Sequence, residues 1–313
     1  MRTNIIRPFL MAFLILGLFT NWGFFGHETI HEKAVYSLPK EMWPLYKEHI
    51  AILIEKSTNP DKRRHFSKKE PPKHYIDLDA FRVNPKTVFP ANWDSAKSFL
   101  TEDTLWAYGV LPWNIEWVYY DLVEAFDSND AQAILRLSAD LGHYISDACV
   151  PLHTTVNYNG QLTNQRGIHG FWESRLPELF AEEYFLYPGQ AEYIHNRQEY
   201  IWAIIFESFS AKDSVLDLDK KVQEAFADEG TQSISERKGQ GVRTQSIEAS
   251  RAYHEALNGM VERRMRRSIK AVADFWFTAW VDAGQPNLKN LELEKDGETK
   301  FFGEKVLEKL WGN

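Results

Sequence analysis

The chain reads as an all-α protein, a single multi-helix domain, on three observations. Apolar residues recur at helical spacing, most clearly Ile134, Leu137, Leu141 and Ile145, which form one stripe on a 3.6-residue turn. Val and Thr, which favour strands, are not gathered into the alternating runs that a half-buried strand needs. Aromatic residues make up 14% of the chain, including 11 Trp, and such side chains suit the space between packed helices. With 313 residues, 44% of them hydrophobic, the chain can bury a large core, and no internal repeat divides it.

Residues 1–21 read as an export signal, because Arg2 and Arg7 precede an apolar run from Pro8 to Phe19 that is short for a membrane span. An uncleaved anchor is the alternative. A domain over 22–284 follows, with 285–313 as a polar tail of limited order. The first helix, Glu28 to Leu38, stops at Pro39 and carries His31 four residues after His27. Residues 40–56 suit an amphipathic helix interrupted near Pro44. The polar, basic, three-proline stretch 57–73 reads as a surface loop, in which Asp61 would be a turn residue or cap if it stood alone.

From 80 to 110 the pattern is irregular. Residues 112–126 and 131–148 are predicted helices, the first opened by Pro112 and the second capped by Ser128-Asn129-Asp130. Val150-Pro151 ends the second, 157–167 forms a loop, and a new helix begins at His169. Further helices are expected at 190–210, 213–228 and 247–283, with a mobile loop over 230–246. The basic cluster Arg263, Arg264, Arg266 and Arg267 is expected to be a solvated helix face.

The formal net charge is −8, and removing 1–21 takes away two arginines and no acid, which makes the remainder more acidic. Such a surface has no general attraction for nucleic acid or anionic lipid. Any phosphate must therefore be held locally, and divalent ions are the obvious means. Cys149 is the lone cysteine, so no intramolecular disulfide and no thiolate metal cage can form.

Metal chemistry is concentrated in 143–173. His143 and Asp147 are four apart, as are His169 and Glu173, and His153 lies between the pairs. On helices each pair projects from one face and can close on one ion. Imidazole and carboxylate donors suit zinc, and their mixture points to an open, catalytic site. Asp147 lies beside the buried stripe, where a carboxylate needs a cation.

Taken together, Trp22, His27, Asp61, His74, His143, Asp147, His153, His169 and Glu173 resemble the zinc-dependent phospholipase C and single-strand-specific nuclease superfamily, in order and in spacing from 22 to about 180. The resemblance implies an all-α domain with three Zn2+ ions in a cleft. One ion would take Asp61, His74, His143 and Asp147, and a second His153, His169 and Glu173. The third would take His27, the shared Asp147, and the amino group and carbonyl of Trp22, which must then be the mature N-terminus. The implied reaction is hydrolysis of a phosphodiester by a zinc-bound hydroxide, with Asp61 as a candidate catalytic base. His31, Asp77, Asp79 and Arg166 are candidate supporting groups.

The spacing of Trp22 to His27 is similar to the nuclease branch, whereas the stretch from His153 to Glu173 looks more like the phospholipase branch. A phospholipid headgroup phosphodiester is the expected substrate, with single-stranded nucleic acid as the alternative. The implied protein is an exported monomer, periplasmic or extracellular, without a stable protein partner. A noncatalytic metal-stabilised protein is the reading from a different class.

Overall fold

Helix boundaries fall largely where caps and breakers put them. The computed structural model describes residues 24–81, 90–237, 240–289, 291 and 293; the expected signal, Trp22 and most of the expected tail lie outside this set. Helix α1 (Phe24–Val35) is followed by α2 (Trp43–Tyr46), α3 (Ile50–Lys56) and α4 (Asn59–Arg63). A 3₁₀ turn at Pro71–Lys73 precedes α5 (Trp93–Leu100), α6 (Glu102–Tyr108) and the long pair α7 (Leu111–Asp127) and α8 (Ala131–Ala148). After a second 3₁₀ turn at Pro151–Thr154, α9 (Ile168–Gly170), a π-helical turn (Phe171–Arg175) and α10 (Leu176–Phe180) run on without a break. The order ends with α11 (Arg197–Ala225), a hairpin of β1 (Gln232–Arg237) and β2 (Gln240–Gln245), α12 (Ile247–Ala256) and α13 (Met260–Asp282). At 66% helix and 3% strand, the expected all-α class holds.

The fold is built around α8. Helices α1, α3, α7, α11 and α13 all pack on it, and it is buried without interruption from Leu137 onward. A helix buried on all sides is normally apolar, yet this one carries Ser138, Asp140, His143, Ser146 and Asp147 into the interior. Those groups need partners there. Helix α1 approaches most closely at Gly142, where a β-carbon would lie 2.4 Å from His31 Nε2. That approach stacks His27 on His143, with ring centroids 4.0 Å apart.

The two long helices predicted at 112–126 and 131–148 are present, and the Asp130 side chain caps α8 by accepting from Ala133 N at 2.9 Å. Other expectations are corrected. The supposed loop 57–73 contains α4, because Pro60 sits in the first turn, where a missing N–H costs nothing. The irregular stretch 80–110 contains α5 and α6, capped by Asn92 and Thr101. Residues 40–56 form two short helices instead of one.

Helix α11 runs through the expected gap between 210 and 213, since its 29 residues contain neither Gly nor Pro. The helix expected over 247–283 breaks at Asn258 and Gly259, both with positive φ. The expected mobile loop 230–246 contains an antiparallel hairpin pairing Gln232 with Gln245 and Arg237 with Gln240; its polar composition hid the β-branched Ile234 and Thr244. The basic cluster on α13 is not simply solvated. Arg264 donates to Cys149 O at 2.8 Å and Arg267 to Tyr200 Oη at 2.7 Å, pinning α13 to its neighbours.

Candidate metal centre

Six separate stretches converge on one buried centre. His27 comes from α1, Asp61 from α4, His74 from the residue after the 3₁₀ turn at Pro71–Lys73, and His143 and Asp147 from adjacent turns of α8. His153 lies on the 3₁₀ turn at Pro151–Thr154, and His169 and Glu173 on α9 and the π-turn. Every metal-type residue read from the sequence except Trp22, which is not among the described residues, therefore reaches the centre.

The donors form two groups. In one, His74 Nδ1 lies 2.9 Å from Asp147 Oδ2 and 3.1 Å from His143 Nε2, which is itself 3.3 Å from that oxygen. Asp61 Oδ1 completes it at 3.8 Å from His74 and 3.9 Å from His143. In the other, Glu173 Oε2 lies 2.7 Å from His169 Nε2 and 3.5 Å from His153 Nε2, and the two ring nitrogens are 3.1 Å apart. Donors on a tetrahedral zinc, at bond lengths of about 2.0–2.2 Å, stand roughly 3.3 Å from one another. His74, His143 and Asp147 in the first group and His153, His169 and Glu173 in the second are each compact enough to hold a metal ion, while Asp61 lies closest to such a set with His27 and His143.

His27 joins the groups. Its Nε2 is 3.4 Å from Asp147 Oδ1 and 3.6 Å from Glu173 Oε1. Each of these carboxylates thus divides its two oxygens, one toward a donor group and one toward His27. Sharing of Asp147 was expected; sharing of Glu173 was not.

The far side of each ring decides which nitrogen is free to bind. His143 Nδ1 donates to Ser57 O at 2.8 Å, His153 Nδ1 to His74 O at 2.5 Å, and His169 Nδ1 to Tyr158 O at 3.0 Å. With the proton spent there, a neutral ring presents a lone pair from Nε2. With both rings neutral, His153 and His169 would aim lone pairs at each other across 3.1 Å, a contact that either a proton on one ring or a metal ion between them relieves.

Electrostatics point the same way. Burial alone would raise Asp147 and Glu173, but the adjacent rings, His143 and His153 first for Asp147 and His153 and His169 first for Glu173, hold both carboxyls well below the usual range. Burial also raises Asp61, and His143 and His27 more than reverse it. In return, His153 is pushed up to about 9 against its burial, chiefly by Asp147 and Glu173. His27 and His74 are raised likewise, whereas burial wins at His143 and lowers it. Asp61 has Arg64 at 3.3 Å, but among the described residues the ion pairs of Asp147 and Glu173 are with histidines alone. Ionised carboxylates this deep require positive charge. Protons on the rings can supply it, and so can metal ions.

The expected supporting residues divide. His31 sits 2.7 Å from His27 O and 3.0 Å from Ala139 O, placing its ring between α1 and α8, and burial pushes it down to about 3. Asp79 accepts from Thr155 Oγ1 at 2.5 Å and Val156 N at 2.9 Å, fixing the chain after His153. Asp77 is pushed up to about 7 by burial and by Asp79. Arg166 lines a polar cavity of about 130 Å³ with Asp219 and Gln245, and no metal-type residue of the centre borders that cavity.

One buried cluster escaped the sequence reading. Glu70 is 3% exposed and lies beside His74, with Arg63, Asp140 and Tyr144 around it. The available signal was the four-residue spacing from Glu70 to His74, hidden between lysines and prolines. Compared with models of known families and with curated proteins, the chain matches none.

Proposed function

We propose that the protein is an exported zinc-dependent hydrolase of phosphate ester bonds, of the phospholipase C and single-strand-specific nuclease type. The observation that carries this reading is the pair of opposed histidine nitrogens in each donor group, each 3.1 Å apart and flanked by an ionised carboxylate. Asp61, His74, His143 and Asp147 would hold one ion, and His153, His169 and Glu173 another. His27 would hold a third with Asp147 and Glu173, and Trp22 belongs to the proposal on resemblance alone.

Bound divalent ions would acidify water and neutralise phosphate charge. The chain's own contribution is position and openness. The second group offers three protein donors, and its His169 side chain is 24% exposed, leaving a face for water and substrate. Asp61, 25% exposed and held ionised, would accept a hydrogen bond from a water beside the four-donor group.

A phospholipid headgroup is the favoured substrate on the likeness of the His153 to Glu173 stretch to the phospholipase branch, and a net charge of −8 gives no general attraction for a nucleic-acid polyanion. Tyr158 favours the nuclease alternative. It is 53% exposed, and its ring lies 6.2 Å from that of His169, where a base could stack. Purified, zinc-loaded protein should hydrolyse phosphatidylcholine vesicles faster than single-stranded DNA, and a chelator should abolish the activity. Zinc bound tightly with neither substrate cleaved would overturn the catalytic reading in favour of structural metal.

A further inference from the structure

The Glu70 cluster has the geometry of a brace for the four-donor group. Glu70 Oε1 accepts from the Tyr144 hydroxyl in a very short contact and from Arg63 Nη2 at 3.3 Å, while Oε2 accepts from Lys73 Nζ at 3.2 Å. Arg63 also donates to Asp140 Oδ1 at 3.0 Å and to Tyr144 Oη at 3.1 Å. His74 Nε2 faces the same Glu70 Oε1 at 3.8 Å. That nitrogen is buried and has no hydrogen-bond partner among the described residues.

We propose that Glu70 is a positioning residue for the metal centre: it accepts the Nε2 proton of His74 when Nδ1 binds an ion, and through Arg63 it locks the Asp61 helix to α8. The inference rests on the metal-binding reading above. His143, His153 and His169 lean on neutral backbone carbonyls, whereas His74 leans on a carboxylate, which makes an imidazole a stronger donor. Closing 3.8 Å to a hydrogen bond needs a shift of less than about 1 Å.

The mechanical part follows from chain position. Arg63 lies two residues after Asp61 on α4, and Asp140 lies one turn before His143 on α8. One guanidinium bridging Glu70 and Asp140 therefore fixes the relative placement of Asp61, His74, His143 and Asp147. The other donor group has no part in this cluster.

The test is a zinc titration against a competing chelator, on the full chain, for the unaltered protein, Glu70→Gln, Glu70→Asp and Tyr144→Phe. It is paired with nitrogen–proton spectra of the histidine rings. Glu70→Gln should weaken one class of zinc site by about 10–100-fold and affect the other less. Glu70→Asp should recover part of the loss, and Tyr144→Phe, which keeps the carboxylate, should cost less. The zinc-loaded unaltered protein should show a slowly exchanging Nε2 proton on His74 that shifts and exchanges faster in Glu70→Gln, whose neutral amide oxygen is a weaker acceptor, while the Nδ1 protons of His143 and His153 are unchanged.

Equal zinc affinity in Glu70→Gln with unchanged ring spectra would overturn the proposal. If that variant does not fold, the unaltered protein decides, since a His74 without a protected Nε2 proton overturns it equally. Absence of zinc binding by the unaltered protein would remove the metal reading itself, and with it this brace, before any variant is compared.

Discussion

The two donor groups are built from different materials. Asp61, His74, His143 and Asp147 stand on or beside helices, two of them on the fully buried half of α8, and a charged cluster backs them. His153, His169 and Glu173 stand on a 3₁₀ turn, a helix start and a π-turn, and backbone carbonyls orient their rings. The first group offers four donors, open only at Asp61, and the second three donors, open at His169. On the proposed hydrolase reading, that division would let the centre both persist and turn over substrate, because a saturated site resists metal loss and an unsaturated one admits a ligand.

Asp147 is where the two groups meet, so its loss should cost most. Asp147→Asn should lower hydrolysis by more than about 100-fold, beyond the 10–100-fold expected for losing a supporting partner, and reduce zinc content at both groups. Metal content and activity both intact by elemental analysis and assay would dissolve the shared centre.

Changing the second group alone should sharpen the contrast. His169→Ala should remove one zinc per chain and most activity, yet keep the four-donor group filled and the thermal midpoint within a few degrees of the unaltered protein. Loss of all zinc from this variant would mean that the groups do not bind separately.

The smallest effect should be a pH dependence of opposite sign with and without metal. His153 rises from 6.5 to about 9 in the folded, metal-free chain. The stability it contributes is fully present below about pH 6.5 and fades as pH climbs through about 9. Zinc must displace that proton, so zinc affinity should rise over the same window. Melting curves with chelator should therefore fall between these pH values while those with zinc rise. Parallel curves would remove His153 from the centre.

Much of this was legible in the sequence, and the limits have physical causes. The i, i+4 pairs His143/Asp147 and His169/Glu173 were readable because one helical turn brings such residues together. Helix α8 was readable to the residue because Asp130 and Pro151 bound it. Short elements were lost, since α4, α5 and α6 hold too few residues to show a period and depend on tertiary contacts. The Glu70 brace was unreadable because Arg63, Asp140 and Tyr144 meet it only across the fold, and nothing in a charged stretch says which charges become buried. The second role of Glu173 also depends on how α1 packs, which no local pattern specifies.

Asp147 and Glu173 each turn one oxygen to His27 and the other to a separate donor group. Ions held by such a pair of bridges, as proposed above, would not be independent ligands. Filling one position alters the affinity of the next, and the alteration is reciprocal. A chelator should accordingly strip the centre in sequence, with the three-donor group and its half-open His169 emptying ahead of the buried group behind it. On the proposed metal binding, the protein would have graded holo states instead of a single one, and the supply of metal in its surroundings would set which state it occupies.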